Sequence, residues 1–133
     1  MYLKILFVAA NPKLPINVEY PMVHTKSFKT LLKWLPKLGI TDKDKVWIIN
    51  ASNKLADSTS ELRVGDMNLE NLQTCISNTD KVIALGDYAA DAISRVWDGE
   101  FGMLPHPSGL NRKLNSSTFL TFSLNQCKIY LND

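Results

Sequence analysis

The chain is short of nearly everything that would mark a specialised class of protein. Cys75 and Cys127 are its only cysteines among 133 residues. Two isolated thiols cannot ligate an iron–sulfur cluster or complete a zinc site by themselves. Reduced, buried thiols are the expectation rather than a disulfide framework. No sign of charge dominates, since 15 basic residues against 13 acidic ones leave a net charge of +2. The field of the whole molecule therefore neither demands nor excludes a nucleic-acid partner, and any electrostatic footprint must be local. Long apolar runs are also missing. The stretch 1–10 carries one lysine and is too short for the core and cleavage region of a signal peptide. Nothing approaches membrane-spanning length, so a soluble, intracellular and cytoplasmic protein is expected. There is no internal repeat and no low-complexity segment.

What is present describes a globular protein, with 45% hydrophobic and 21% charged residues. The length argues for a single domain over residues 1–133 with one core. Tyr2 to Ala9 is a nearly continuous apolar run, as expected of a strand buried on both faces. It ends at Ala10-Asn11-Pro12, and Pro12, Pro15 and Pro21 keep the following loop out of regular helix or central strand. Loops of that length in compact domains are usually functional or mobile. From about Thr25 the spacing of Phe28, Leu31, Leu32, Leu35 and Leu38 predicts a helix, with Lys26, Lys29, Lys33 and Lys37 as a solvated face. Pro36 should kink or end it near Leu35, and Gly39 is a natural stop.

Val46 to Asn50 is a second buried strand, Leu69 to Ile76 a helix, and Lys81 to Leu85 a third strand closed by Gly86. Asp87 is placed to cap the next helix, whose apolar stripe is Ala89, Ala90, Ile93, Val96 and Trp97. Phe101 to Leu104 reads as a fourth strand, and residues 116–130 as a closing helix capped by Ser116 or Ser117. Strand and helix alternate throughout. That order predicts a three-layer α/β/α fold around a mostly parallel four-stranded sheet with right-handed crossovers. Ligands in such sheets bind beyond the carboxyl ends of the strands. Asn11, Asn50 and His106 all fall there, after the first, second and fourth strands. His106 stands between Pro105 and Pro107 at a corner that core packing does not require, with Gly109 permitting a sharp turn.

These loops resemble a known family. Val8-Ala9-Ala10-Asn11-Pro12, Trp47-Ile48-Ile49-Asn50 and Leu104-Pro105-His106-Pro107-Ser108 are similar, in order and in register with the strands, to the three motifs of the uracil-DNA glycosylase superfamily. The similarity is nearest to its mismatch-specific and single-strand-selective branches. Val82 to Gly86 and the Ala-rich helix after it also resemble the segment preceding the last motif. The resemblance implies a uracil-DNA glycosylase-like fold and hydrolysis of the N-glycosidic bond of uracil or a modified pyrimidine in DNA, with no metal and no cofactor. On that basis Asn11 would position the attacking water and His106 would donate a hydrogen bond to the departing base. Asn50, Tyr20, Ala10 and Ser108 would hold the flipped base. Pro107, Gly109, Leu110, Asn111, Arg112 and Lys113 would meet the strand, Leu110 as a wedge and the cations at phosphates. The chain departs from the family where Lys13-Leu14-Pro15 replaces the glycine after the first motif's proline, and His24 matches no motif. The residues alone leave two alternatives open. One is a non-catalytic binder of a base, a nucleotide or single-stranded nucleic acid; the other is a small nucleoside or nucleotide hydrolase. Oligomeric state is not addressed by the sequence.

Overall fold

The computed structural model describes residues 2–11, 26–54, 56, 59–107 and 117–133. Four strands, β1 (Lys4–Ala9), β2 (Lys45–Asn50), β3 (Lys81–Leu85) and β4 (Gly102–Leu104), form one sheet in the order β2-β1-β3-β4. Every pairing is parallel, so the sheet expected to be mostly parallel is wholly so. Four helices alternate with the strands: α1 (Lys26–Lys37), α2 (Leu69–Ser77), α3 (Asp87–Val96) and α4 (Ser117–Leu131). Short 3₁₀ turns at Thr59–Glu61 and Val64–Asp66 lie between β2 and α2. No helix among the described residues is long and apolar enough to cross a membrane.

The continuous apolar run of β1 is explained by its position at the centre of the sheet. Ile5, Phe7 and Ala9 point to the layer made by α1 and α4, where they meet Leu31, Trp34, Leu38, Leu124, Cys127 and Leu131. Leu6 and Val8 point the other way, onto Leu72, Ile76, Ala89, Ala92 and Ile93 of α2 and α3. The alternation is the strand's two-residue period with both faces covered. At its amino end β1 is pinned by two carboxylates. Asp44 accepts the Leu3 and Thr41 N–H groups, and Asp80 accepts that of Lys4. The bonds from Thr41 and Leu3 hold the Asp44 carboxyl below its ordinary range.

Several local expectations are corrected. Pro36 lies inside the last turn of α1, which runs on to Lys37, two residues past Leu35. The helix closes two residues further on: Gly39 (φ +80°) donates to the Pro36 carbonyl and Ile40 to that of Leu35, 3.0 and 3.1 Å away. This is a Schellman closure with Ile40 packed back on the core. On the buried face of α1 Trp34 takes the place expected of Leu32, which is 46% exposed on the helix flank. The N-cap of α3 is Gly86, not Asp87, and it adopts φ +96°, a conformation that costs a side chain. Ala92 rather than Trp97 completes the buried stripe of α3, since Trp97 lies past the helix and turns its indole N–H onto the Glu100 carbonyl. Of the two residues expected to cap α4, Ser116 lies outside the described residues and Ser117 is the first residue of the helix itself.

Both cysteines are free thiols. Cys127 is buried, and its S–H donates to the Met103 carbonyl at 3.4 Å. Burial pushes the thiol from 9.0 up to about 11. In the unfolded chain the thiol ionises first, so its stabilising contribution is complete below about pH 9 and disappears as pH rises through 11. Wild-type unfolding free energy is expected to fall by about 2–3 kcal/mol across that window on this account. Denaturant melts of Cys127→Ala should show a shallower decline, the remainder coming from Tyr130, whose buried phenol is also pushed up.

Candidate functional site

The connections from β1 to β2 and from β3 to β4 leave in opposite directions, with α1 on one face and α3 on the other. The strand order therefore reverses between β1 and β3, and the crevice beyond their carboxyl ends is where open α/β sheets bind ligands. Asn50 lies opposite Ala9 at the last paired position of β1 and β2. Beyond it the chain stays beside β1: the Ala51 and Ser52 N–H groups donate to the Ala9 and Ala10 carbonyls at 2.7 and 2.9 Å. These two bonds hold Asn50 and Asn11 on one rim.

The Asn50 side chain carries the clearest chemical anomaly of this rim. Its Oδ1 is buried from solvent and has no hydrogen-bond partner among the described residues. A carbonyl oxygen removed from water without a donor costs about 1–3 kcal/mol, so such groups are rare and call for a reason. Strand alternation places Asn50 on the same side as Val46 and Ile48, which pack against the α1/α4 core.

Asn11 is held differently. Its Nδ2 donates to the Ala56 carbonyl at 2.8 Å, tying the end of β1 to the loop after β2. One N–H of the amide is thus engaged within the protein, while Oδ1 has the chemistry to accept a hydrogen bond. Ala10 is buried, and its carbonyl receives the Ser52 N–H; what it brings to the rim is backbone.

His106 follows β4 by two residues and lies over the end of β3. A Cβ built on Gly86 would sit 3.4 Å from the His106 Cβ. Gly86 also donates its N–H to the Leu104 carbonyl at 2.9 Å, which locks the histidine loop to the start of α3. Pro105 is buried, and Pro107 is among the most completely buried side chains. In the free chain Pro107, expected to meet a nucleic-acid strand, is thus buried, and its ring constrains the backbone that carries His106. His106 itself is half-buried. Tyr20, Ser108, Gly109, Leu110, Asn111, Arg112 and Lys113 lie outside the described residues, as does His24.

Three further residues support the rim. Gly86, which closes the segment already set beside the last motif, makes room for His106. Ser52 is fully buried, where its hydroxyl accepts the Lys54 N–H at 3.0 Å. Tyr88, on the first turn of α3, bonds to the Ser52 side chain and donates to the Arg63 carbonyl at 2.8 Å. Burial pushes its phenol above the ordinary range, keeping it a donor. Ser52 and Tyr88 thereby tie the backbone at Lys54 and Arg63 to the start of α3. Polarity at isolated loop positions carries no trace of such pairings.

Asn50 on β2 and His106 over β3 stand two strand spacings apart, about 10 Å. A single heterocycle read from opposite edges spans that order of distance. Among the described residues no cluster of histidine, cysteine and carboxylate groups is arranged to hold a metal ion. No protein-family model matches the chain, and no curated protein matches it. The fold is a doubly wound parallel α/β sheet, with Asn50 at the carboxyl end of β2 and His106 two residues beyond β4.

Proposed function

We propose that this protein is a small DNA glycosylase that hydrolyses the N-glycosidic bond of uracil or a modified pyrimidine. The observation that carries the reading is Asn50 Oδ1, buried and without a partner among the described residues, at the carboxyl end of β2. A base entering edge-on supplies the missing donor through a ring N–H, while the amide nitrogen donates to the neighbouring base oxygen. His106, from the far side, donates to the base oxygen on which negative charge collects. A water held by Asn11 Oδ1 forms the new bond to the sugar carbon as the carbon–nitrogen bond breaks. The electron pair leaves with the base, and solvent takes and returns the protons. An amide is no general base, so acceleration rests on positioning and on stabilising the leaving group. The preferred substrate is single-stranded or damaged DNA, where flipping a base out costs least.

Single- and double-stranded oligonucleotides containing uracil or oxidised pyrimidines, treated with alkali after incubation, should show strand breaks at the modified position. Measurable binding with no breaks would reject base excision and leave a non-catalytic binder. Release from free deoxyuridine in preference to the oligonucleotides would point to a nucleoside hydrolase. Asn50→Leu gives a sharper test, because it removes the orphan oxygen at nearly constant shape. Thermal or denaturant unfolding should show a gain of about 1 kcal/mol in stability while base release is lost. A loss of stability would mean that Asn50 serves the fold.

A further inference from the structure

The outer faces of the four helices differ in one respect. α1 exposes Lys29, Lys33 and Lys37, α3 exposes Asp87, Asp91 and Arg95, and α2 exposes small polar groups with Glu70. From Thr118 to Leu131, α4 holds a single charge, Lys128, yet its outer face exposes 61% of Phe122 and 59% of Ile129. Both belong to the stripe opposite Leu120, Leu124, Cys127 and Leu131, the residues that bury the helix against the sheet. A solvent-facing helix surface rich in large apolar groups and depleted of charge has the composition of an interface core.

We infer that this face of α4 binds a second copy of the chain. The argument for that occupant is complementarity. Phe122 and Ile129 are equally spaced on either side of Asn125 and Gln126, which are also exposed. An antiparallel, two-fold crossing of α4 with its copy sets Phe122 of one chain against Ile129 of the other at both ends. The carboxamides of Asn125 and Gln126 meet at the centre, and because an amide both donates and accepts, the surface satisfies itself. The lysine face of α1 has no such relation to its own copy, since like charges would meet. Nor would a charged partner find counter-charges on α4. The helix spans about 22 Å. One such crossing covers less than the ~800 Å² per partner of a standard interface, so the dimer is reversible and concentration-dependent.

Sedimentation velocity of the full chain over a wide concentration range tests this. The wild type is expected to shift reversibly from monomer to dimer. Phe122→Glu and Ile129→Glu are each expected to weaken the dimer about tenfold or more while leaving circular dichroism and melting unchanged. In a Cys75→Ser background, Asn125→Cys should cross-link to its own copy with a short bis-maleimide, and Asp91→Cys on α3 should not. A wild type that stays monomeric throughout overturns the inference. So does a dimer unaffected by both glutamates, or one that cross-links through position 91 instead of 125. None of these outcomes depends on the proposed glycosylase activity.

Discussion

Phe7→Ala is expected to destabilise the native state by about 3–5 kcal/mol, the cost of deleting a large, fully enclosed aromatic side chain. Phe7 sits at the midpoint of the central strand and has no solvent exposure. It is registered against Ile48 of β2 and Ile83 of β3, under the layer of α1 and α4. Both neighbouring strands hold their backbone positions through ladder hydrogen bonds, so the space left cannot collapse cheaply. Against a total of about 5–15 kcal/mol for a typical domain, the loss takes a large share of the margin. Urea unfolding of wild type and variant at neutral pH reads it as a shift in midpoint at constant slope. Phe122→Ala, an equally large deletion on the exposed side of α4, should change monomer stability by about 0.5 kcal/mol or less. Equal losses at the two sites would contradict the assignment of the core.

His106→Ala is expected to slow base release about 10²–10³-fold, the effect of removing one donor aimed at developing negative charge. The loss should appear in single-turnover rate, with binding of a uracil-containing oligonucleotide nearly unchanged, because the bond to the base oxygen strengthens only as the base departs. Gln at this position, which can still donate, should recover part of the rate. The buried Pro105 and Pro107 and the close contact with Gly86 hold the loop backbone independently of the imidazole. The variant should therefore fold normally. A rate equal to wild type would remove His106 from the chemistry, and a variant that fails to bind would make it a binding group instead.

How much of this was legible beforehand follows from how local each determinant is. β1 and β3 announce themselves as short apolar runs because both of their faces are covered, and that requirement acts on every residue of the strand. Alternation of strands with helical periodicity then leaves few topologies, which is why the α/β/α plan could be read in advance. Capping was less legible. Asp87 has the chemistry of an N-cap, but the chain enters α3 at φ +96°, which Gly86 tolerates. Pro36 looked like a helix breaker, yet in a last turn closed by Gly39 and Ile40 it breaks little. Leu32 and Trp34 are both apolar and two residues apart on α1, so the choice of which is buried depends on where the sheet lies.

The amino-acid sequence by itself determined the elements, their order and the three polar positions at strand ends, because propensity, periodicity and turn chemistry act over a few residues. Only the tertiary structure decided what those positions can do. It left Asn50 Oδ1 buried without a donor among the described residues, engaged the Asn11 amide with Ala56, buried Pro107 and set His106 against Gly86. Each of these pairs residues from separate parts of the fold, and such pairings are fixed by packing across the sheet rather than by sequence neighbours. The same holds for α4, whose Phe122 and Ile129 read as ordinary helix residues until the sheet takes the opposite face.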